Sequence, residues 1–198
     1  MATPSKTIQS DPISLQSVAS GTVVISTPLD VSSKFAAQFF IHFGRRAASA
    51  LSAPVIFRIE ASAESSGDGH WYPLAVVSTE VALAEAEAVS GTVSSGQKVI
   101  TVASTTNLSP GDPIFIDNST IANSEWQRIK STVTNTSVTV EDNLTNAQTG
   151  STIYDQAQII PIIVDLTTVT RVRVVVDNSQ SGQAIAAEVE LITLDSIG

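Results

Sequence analysis

The sharpest pattern along the chain is a strict alternation between residues 37 and 43. Ala37, Phe39, Ile41 and Phe43 fall on one face of an extended segment, with Gln38, Phe40 and His42 on the other. A period of two predicts a strand with one face turned to a core. The same period recurs where Phe57, Ile59 and Ala61 alternate with Arg58 and Glu60, and a further strand is predicted from Trp71 to Val77. Upstream, Thr22 to Thr27 reads as a short strand stopped by Pro28. Toward the other end, Ile159 to Leu166, Val169 to Val176 and Ala184 to Leu194 read as three apolar strands. Residues 1–20 are polar, carry Pro4 and Pro12 and show little periodicity, so they read as an arm or an irregular edge segment.

A different texture separates these two groups. Glu80 to Ala88 is rich in Ala and Glu, a composition compatible with a short helical connector or an extended linker. Short strands then alternate with small polar turns, at Lys98–Ala103, Pro113–Asp117, Glu125–Thr132, Ser137–Glu141 and Thr152–Tyr154. Five strands in so short a span predict a small antiparallel barrel or meander. The economical reading is one all-β protein: an antiparallel, jelly-roll-like β-sandwich from residues 21–85 and 156–198, with a small β-barrel of residues 89–154 inserted. An insertion at a loop tip costs little when the loop's ends lie close together.

Composition strengthens the fold class. Val, Ile and Thr number 22, 19 and 21 in 198 residues. These β-branched side chains are stiff at χ1 and suit a pleated, half-buried surface. Ten basic side chains face 19 acidic ones, for a net charge of -9. That balance argues against binding a nucleic-acid backbone, which requires clustered cations. Cysteine is absent, excluding disulfides, thiol catalysis and Cys-ligated zinc. No apolar run approaches the ~20 residues of a membrane helix, and Met1 to Ser20 lacks the layout of a signal peptide, so a soluble, intracellularly made protein is expected.

Candidate chemistry is sparse. His42 and His70 are the two side chains that titrate near neutrality, and neither has a partner at metal-ligand spacing. Asp68 and His70 lie close together, but Gly67-Asp68-Gly69-His70-Trp71 reads as a turn entering a strand. No Gly-x-Ser-x-Gly elbow, phosphate-cradling loop or calcium loop occurs. The Asn-x-Ser/Thr triplets at Asn107, Asn118, Asn135 and Asn143 follow from the abundance of Ser and Thr. No catalytic residue, metal ligand or cofactor site is therefore assigned, and an enzyme is not expected.

Alternation also predicts a charge ladder. If Val169–Val176 and the last strand form a hairpin, Arg171 lies near Glu190 and Arg173 near Glu188 on an outer face. Phe40, opposite Phe39 and Ile41, needs either a covering layer or a partner. Candidate interface residues are Ile8, Ile13 and Leu15 in the arm, Phe40, and Arg45, Arg46 and Leu51 in the loop after the first alternating strand.

Several runs resemble small β-rich virion proteins of tailed bacteriophages. They are Phe43-Gly44-Arg45-Arg46-Ala47-Ala48-Ser49-Ala50-Leu51, Phe57-Arg58-Ile59-Glu60-Ala61-Ser62, Trp71-Tyr72-Pro73-Leu74 and Arg171-Val172-Arg173-Val174-Val175-Val176-Asp177-Asn178. The middle of the chain resembles a β module recurring in phage structural proteins, through Gly111-Asp112-Pro113-Ile114-Phe115-Ile116 and Glu125-Trp126-Gln127-Arg128-Ile129. The resemblance extends to head decoration (cement) proteins. It implies a homo-oligomer, with a trimer favoured, made in the host cytoplasm and bound to major capsid protein on the outer capsid surface of the virion. A tail, baseplate or fibre-adaptor part would share these modules. A carbohydrate-binding module is a further alternative, with Trp71, Tyr72 and Trp126 as stacking platforms.

Overall fold

In the computed structural model, which describes residues 5–67 and 69–196, the alternating segment is a strand whose Phe39, Ile41 and Phe43 are buried. It is the fifth of the chain. Before it come β1 (Ser5–Ile8), β2 (Ile13–Val18), β3 (Thr22–Ile25) and β4 (Leu29–Asp30), then β5 itself (Ala36–Arg45), β6 (Ile56–Ser62) and β7 (Tyr72–Ser78). A middle group follows: β8 (Ala86–Ala88), β9 (Thr92–Val93), β10 (Val99–Thr101), β11 (Pro113–Asp117), β12 (Glu125–Val133), β13 (Ser137–Val140), β14 (Gln148–Thr149) and β15 (Thr152–Tyr154). The last three are β16 (Gln158–Asp165), β17 (Arg171–Asn178) and β18 (Ile185–Ser196). Apart from a single 3-10 turn at Ile121–Asn123, the regular structure of the described residues is β, and every strand pair is antiparallel.

Two sheets built from the flanking groups face each other. One runs β1-β18-β5-β16, with β2 also on β18; the other runs β3-β17-β6-β7, with β4 also on β17. Their inward side chains form one core, from Phe39, Ile41, Phe43, Val189 and Leu191 on the first sheet and Phe57, Ile59, Val172, Val174 and Val176 on the second. This is sandwich packing, each strand alternating between core and outer face. β16 and β7 each end a sheet and each contains a proline, Pro161 and Pro73. Proline has no N–H to offer, so these edges are poor templates for a further strand.

The middle group makes a separate sheet, β10-β13-β12-β11-β15-β8. It curls until its ends meet, through a Val89–Val102 bridge and a 2.8 Å bond from Ser90 N–H to Thr101 C=O. Its own core holds Ile100, Ile114, Ile116, Ile129, Val138, Val140 and Ile153. The Ala/Glu-rich connector is extended rather than helical, and Ala86–Ala88 pairs with β15.

Two expectations are corrected. Among the described residues of the N-terminal segment, 5–20, there is no free arm: Ser5–Ile8 and Ile13–Val18 both pair with β18, and Ile13 and Val18 enter the core. The short strands are separated by Pro12 and polar residues, which hid their period from view. Nor do β17 and β18 form a hairpin, because they lie in opposite sheets. Their connection crosses the sandwich, anchored by buried Asn178, whose Nδ2 donates to the Val18 and Gln183 carbonyls at 2.9 Å each. Both strands have one apolar face, and both faces are satisfied by meeting across the core instead of lying side by side.

Candidate interaction surface

The charge ladder exists with other partners. Arg173 lies opposite Glu60 on β6 and donates to its carboxylate at 2.7 Å. Arg58 links Glu60 at 3.3 Å to Asp177 at 3.4 Å, and the Trp71 ring caps Arg173 at 4.3 Å and Arg171 at 5.2 Å. Arg171 donates to the backbone carbonyls of Glu64, Ser66 and Gly67, holding the turn before β7. Such a cross-strand network fixes register and closes the face it occupies. It also occupies the Trp71 ring.

Glu188 and Glu190 stand instead on the outer face of the first sheet, which carries the more open surface. Register sets out its rows. Ile8, Ile192, Gln38 and Ile163 form one, next to Glu190, Phe40 and Pro161, then Glu188, His42 and Ile159, then Ala186 and Gly44. The small barrel stands on the last row. On β11, Ile114 and Ile116 point into the barrel while Phe115 leaves it and lies over Gly44, where a Cβ would come within 2.5 Å of the ring. Phe115, Ala157 and Ala186 are buried together, with Leu15, Ile121 and Trp126 around them. Trp126 Nε1–H donates to the Phe43 carbonyl at 3.1 Å, and Arg46 Nε pairs with Asp117 of β11 at 3.0 Å. The two chain crossings are tied by Glu85 N–H donating to the Asp155 carboxylate at 2.6 Å.

Beside this seat, a cleft of about 290 Å³ is lined by Leu15, His42, Trp126, Glu188 and Glu190 from the sheet and barrel, with Glu125 and the Thr145–Asn146 loop as its far wall. Trp126 meets the His42 ring edge-on at 5.2 Å, and neither ring nitrogen has a hydrogen-bond partner. His42 Nε2 lies 3.8 Å from a Glu190 oxygen. Burial holds the His42 ring below its ordinary pKa, with the charge of Asp11 opposing. Burial, Asp11 and Glu190 push Glu188 up to about 7, against a bond from the Leu15 backbone. Glu125 is engaged elsewhere, accepting from the Thr145 and Asn146 N–H groups at 3.0 Å and from Gln148 at 2.9 Å.

The far rows remain bare. Ile8 is 81% exposed and Ile163 75%, flanking a shallow apolar hollow lined by Ala36, Gln38, Ile163, Ile192 and Leu194.

The residues singled out from the sequence divide accordingly. Ile8 is exposed on this face, and Phe40 is half-buried on it. Leu15 is half-buried beneath the barrel. Ile13, Arg45 and Leu51 are interior, which removes them from the surface. Arg45 is 1% exposed because its guanidinium donates to the carbonyls of Ala82, Ala47 and Ser49, shaping the loop that was expected to dock. Arg46 serves the barrel through Asp117. Of the three aromatics considered as stacking platforms, only Tyr72 is largely exposed; Trp71 is capped by arginines and Trp126 sits in the seat. Ile163 was missed, since its run reads as buried throughout. His70 lies at the surface, 3.1 Å from Glu64.

Among the described residues, no group of three or more His, Asp or Glu is placed to hold a metal ion, and no helix is long and apolar enough to cross a membrane. Fold and surface thus define an all-β sandwich bearing a small barrel on one outer face. No family model matches the chain, and no curated protein does. Solved structures that resemble it weakly are of infectious bursal disease virus. One is the structure of infectious bursal disease virus Gt strain, with 8% identity and a TM-score of 0.23. Another is the crystal structure of the infectious bursal disease virus VP2 subviral particle, with 9% identity and the same TM-score. Each match covers 96% of this chain and 42% of the other, so the chain spans well under half the length of those proteins. At that TM-score the likeness carries no functional argument.

Proposed function

We propose that the protein is a non-enzymatic structural part of a tailed-phage virion, which binds the outside of the head and bridges major capsid protein subunits. The carrying observation is the apolar row Ile8, Ile192 and Ile163 on the open end of the outer sheet face, with Ile8 and Ile163 largely exposed and the barrel seated at the other end. Exposed apolar patches bounded by polar residues mark interaction sites. The sequence runs that resemble phage decoration proteins support the same reading. A clip that binds only the assembled shell lowers that state's free energy, and symmetry multiplies weak contacts. The protein acts as a homo-oligomer in this reading, with a trimer favoured, which sedimentation of the purified chain tests.

The deciding experiment is the copy number per virion on a quantified gel, paired with binding of purified protein to expanded capsids lacking it. Hundreds of copies and saturable binding are expected. A few copies per particle would move the protein to the tail, and no binding to expanded shells would overturn the decoration reading.

A further inference from the structure

We infer that the seat of the small barrel on the sandwich is a pH-operated joint, closed while the cleft holds a proton on Glu188 and loosened once its carboxylates are all ionised. This inference is independent of the decoration reading. It starts from an imbalance in the cleft. His42 projects from β5; Glu188 and Glu190 project from β18; Asp11, in the turn between β1 and β2, adds its charge; and Glu125 of β12 lines the far wall. Among the described residues no Lys or Arg lines this cleft. Burial lowers the pKa of the remaining candidate cation, His42, against the charge of Asp11, and its two ring nitrogens have no hydrogen-bond partner.

A buried imidazole without hydrogen bonds beside two carboxylates is a costly arrangement, because neither the neutral nor the charged state is fully satisfied. One proton on Glu188 relieves it. The protonated carboxyl removes a negative charge from the cleft and gains an O–H donor, while Glu190 remains beside the imidazole. Withdrawing that proton leaves Glu188, Glu190 and Asp11 mutually repelling with no cation between them. Asp11 and Glu190 already meet solvent, so the cost falls on half-buried Glu188, which water reaches more fully if the cleft widens between β18 and the Ser124–Trp126 and Thr145–Asn146 edge of the barrel.

The geometry suits a hinge. On one side, Phe115 on Gly44 and the Glu85–Asp155 clamp hold the barrel at its covalent crossings. On the cleft side, contact comes from Trp126, through one hydrogen bond and its edge against His42, and from Leu15 of β2 packing with Ile121. Trp126 is therefore both the moving part and the reporter.

The test uses the full chain with Trp71→Phe, leaving Trp126 as the single tryptophan. Acrylamide quenching of its emission is followed from acid to alkaline pH. Quenching is expected to rise with a midpoint near 7, the value to which Glu188 is pushed. Glu188→Gln is expected to stay closed across the range. Asp11→Asn, an exposed substitution that spares the fold, is expected to shift the midpoint to lower pH, because the Asp11 charge is the largest electrostatic cause raising Glu188. Flat quenching in the parent, or an unmoved midpoint in Asp11→Asn, overturns the inference.

Discussion

Gly44→Ala tests how the barrel is seated. Gly44 lies in an ordinary strand conformation, so the effect is steric and not one of backbone strain. A Cβ there would meet Phe115 Cγ at 2.5 Å, Cδ1 at 2.8 Å and Cδ2 at 2.9 Å. Normal carbon contacts are about 3.5–4.0 Å, so ring or strand must withdraw by roughly 1 Å. The ring has little room: Phe115 is fully buried, with Trp126 4.8 Å away and Ala157 and Ala186 packed against it. Overpacking of this kind costs about 1–3 kcal/mol. Replacing a strand glycine by alanine returns roughly 0.5–1 kcal/mol through the unfolded chain. The clash wins, and a net loss of about 1–2 kcal/mol is expected. Phe115→Ala alone removes a buried ring and should cost about 3–5 kcal/mol. In the double variant the new methyl enters the vacated space, so the costs should fall short of additive by about 0.5–3 kcal/mol. Urea unfolding followed by tryptophan emission measures all four corners of this cycle. A Gly44→Ala protein as stable as the parent, or a cycle additive within about 0.5 kcal/mol, would refute the seating described.

Arg45→Met should destabilise by about 2–4 kcal/mol in the same assay, because the Ala82, Ala47 and Ser49 carbonyls lose their buried donor. Lysine, a single ammonium point, should recover only part of that loss. Hydrogen bonds from Lys34, Thr7 and Thr193 pull the Asp195 carboxyl down from 3.8 to about 2. Its contribution is thus present above its ordinary value and lost as pH falls through about 2, so Asp195→Asn should flatten the acid limb of a stability-against-pH curve without changing its neutral slope. Ile163→Lys, on an exposed position, should leave unfolding within about 0.5 kcal/mol of the parent and weaken binding to expanded capsids; unchanged binding would shift the docking face elsewhere.

Strand positions were legible wherever period or turns were strong. Pro113–Asp117 and Thr152–Tyr154 match the expected limits, and β12, β13, β16, β17 and β18 fall within three residues of them at each end. Pairing was not legible to the same degree. Arg171 and Arg173 alternate correctly, yet their partners lie on β6 and in the turn after it, because the six-residue link 179–184 is long enough either to turn back or to cross a sandwich. The cleft was beyond reach for a related reason. His42, Trp126 and Glu188 lie far apart in the chain, and the bulkless Gly44 that lets Phe115 and Trp126 approach carries no periodic signal. Arg45 looked like a surface cation since burying a guanidinium requires carbonyls that only the folded loop supplies.

The pairing of β1 with β18 bears on the order in which the molecule assembles. Thr7 bonds to Asp195 across 188 residues of sequence, so the first sheet cannot be completed until β18 has emerged from the ribosome. The barrel strands, by contrast, all lie within one contiguous stretch from Ala86 to Tyr154, and their pairings span far less sequence than that of β1 with β18. Local contacts form fast and distant ones late. The barrel should therefore be folded during synthesis while both sandwich sheets are still waiting for their central strands, β17 and β18. Until β17 and β18 arrive, the apolar faces of β5 and β6 depend on chaperones or on speed to avoid misassembly.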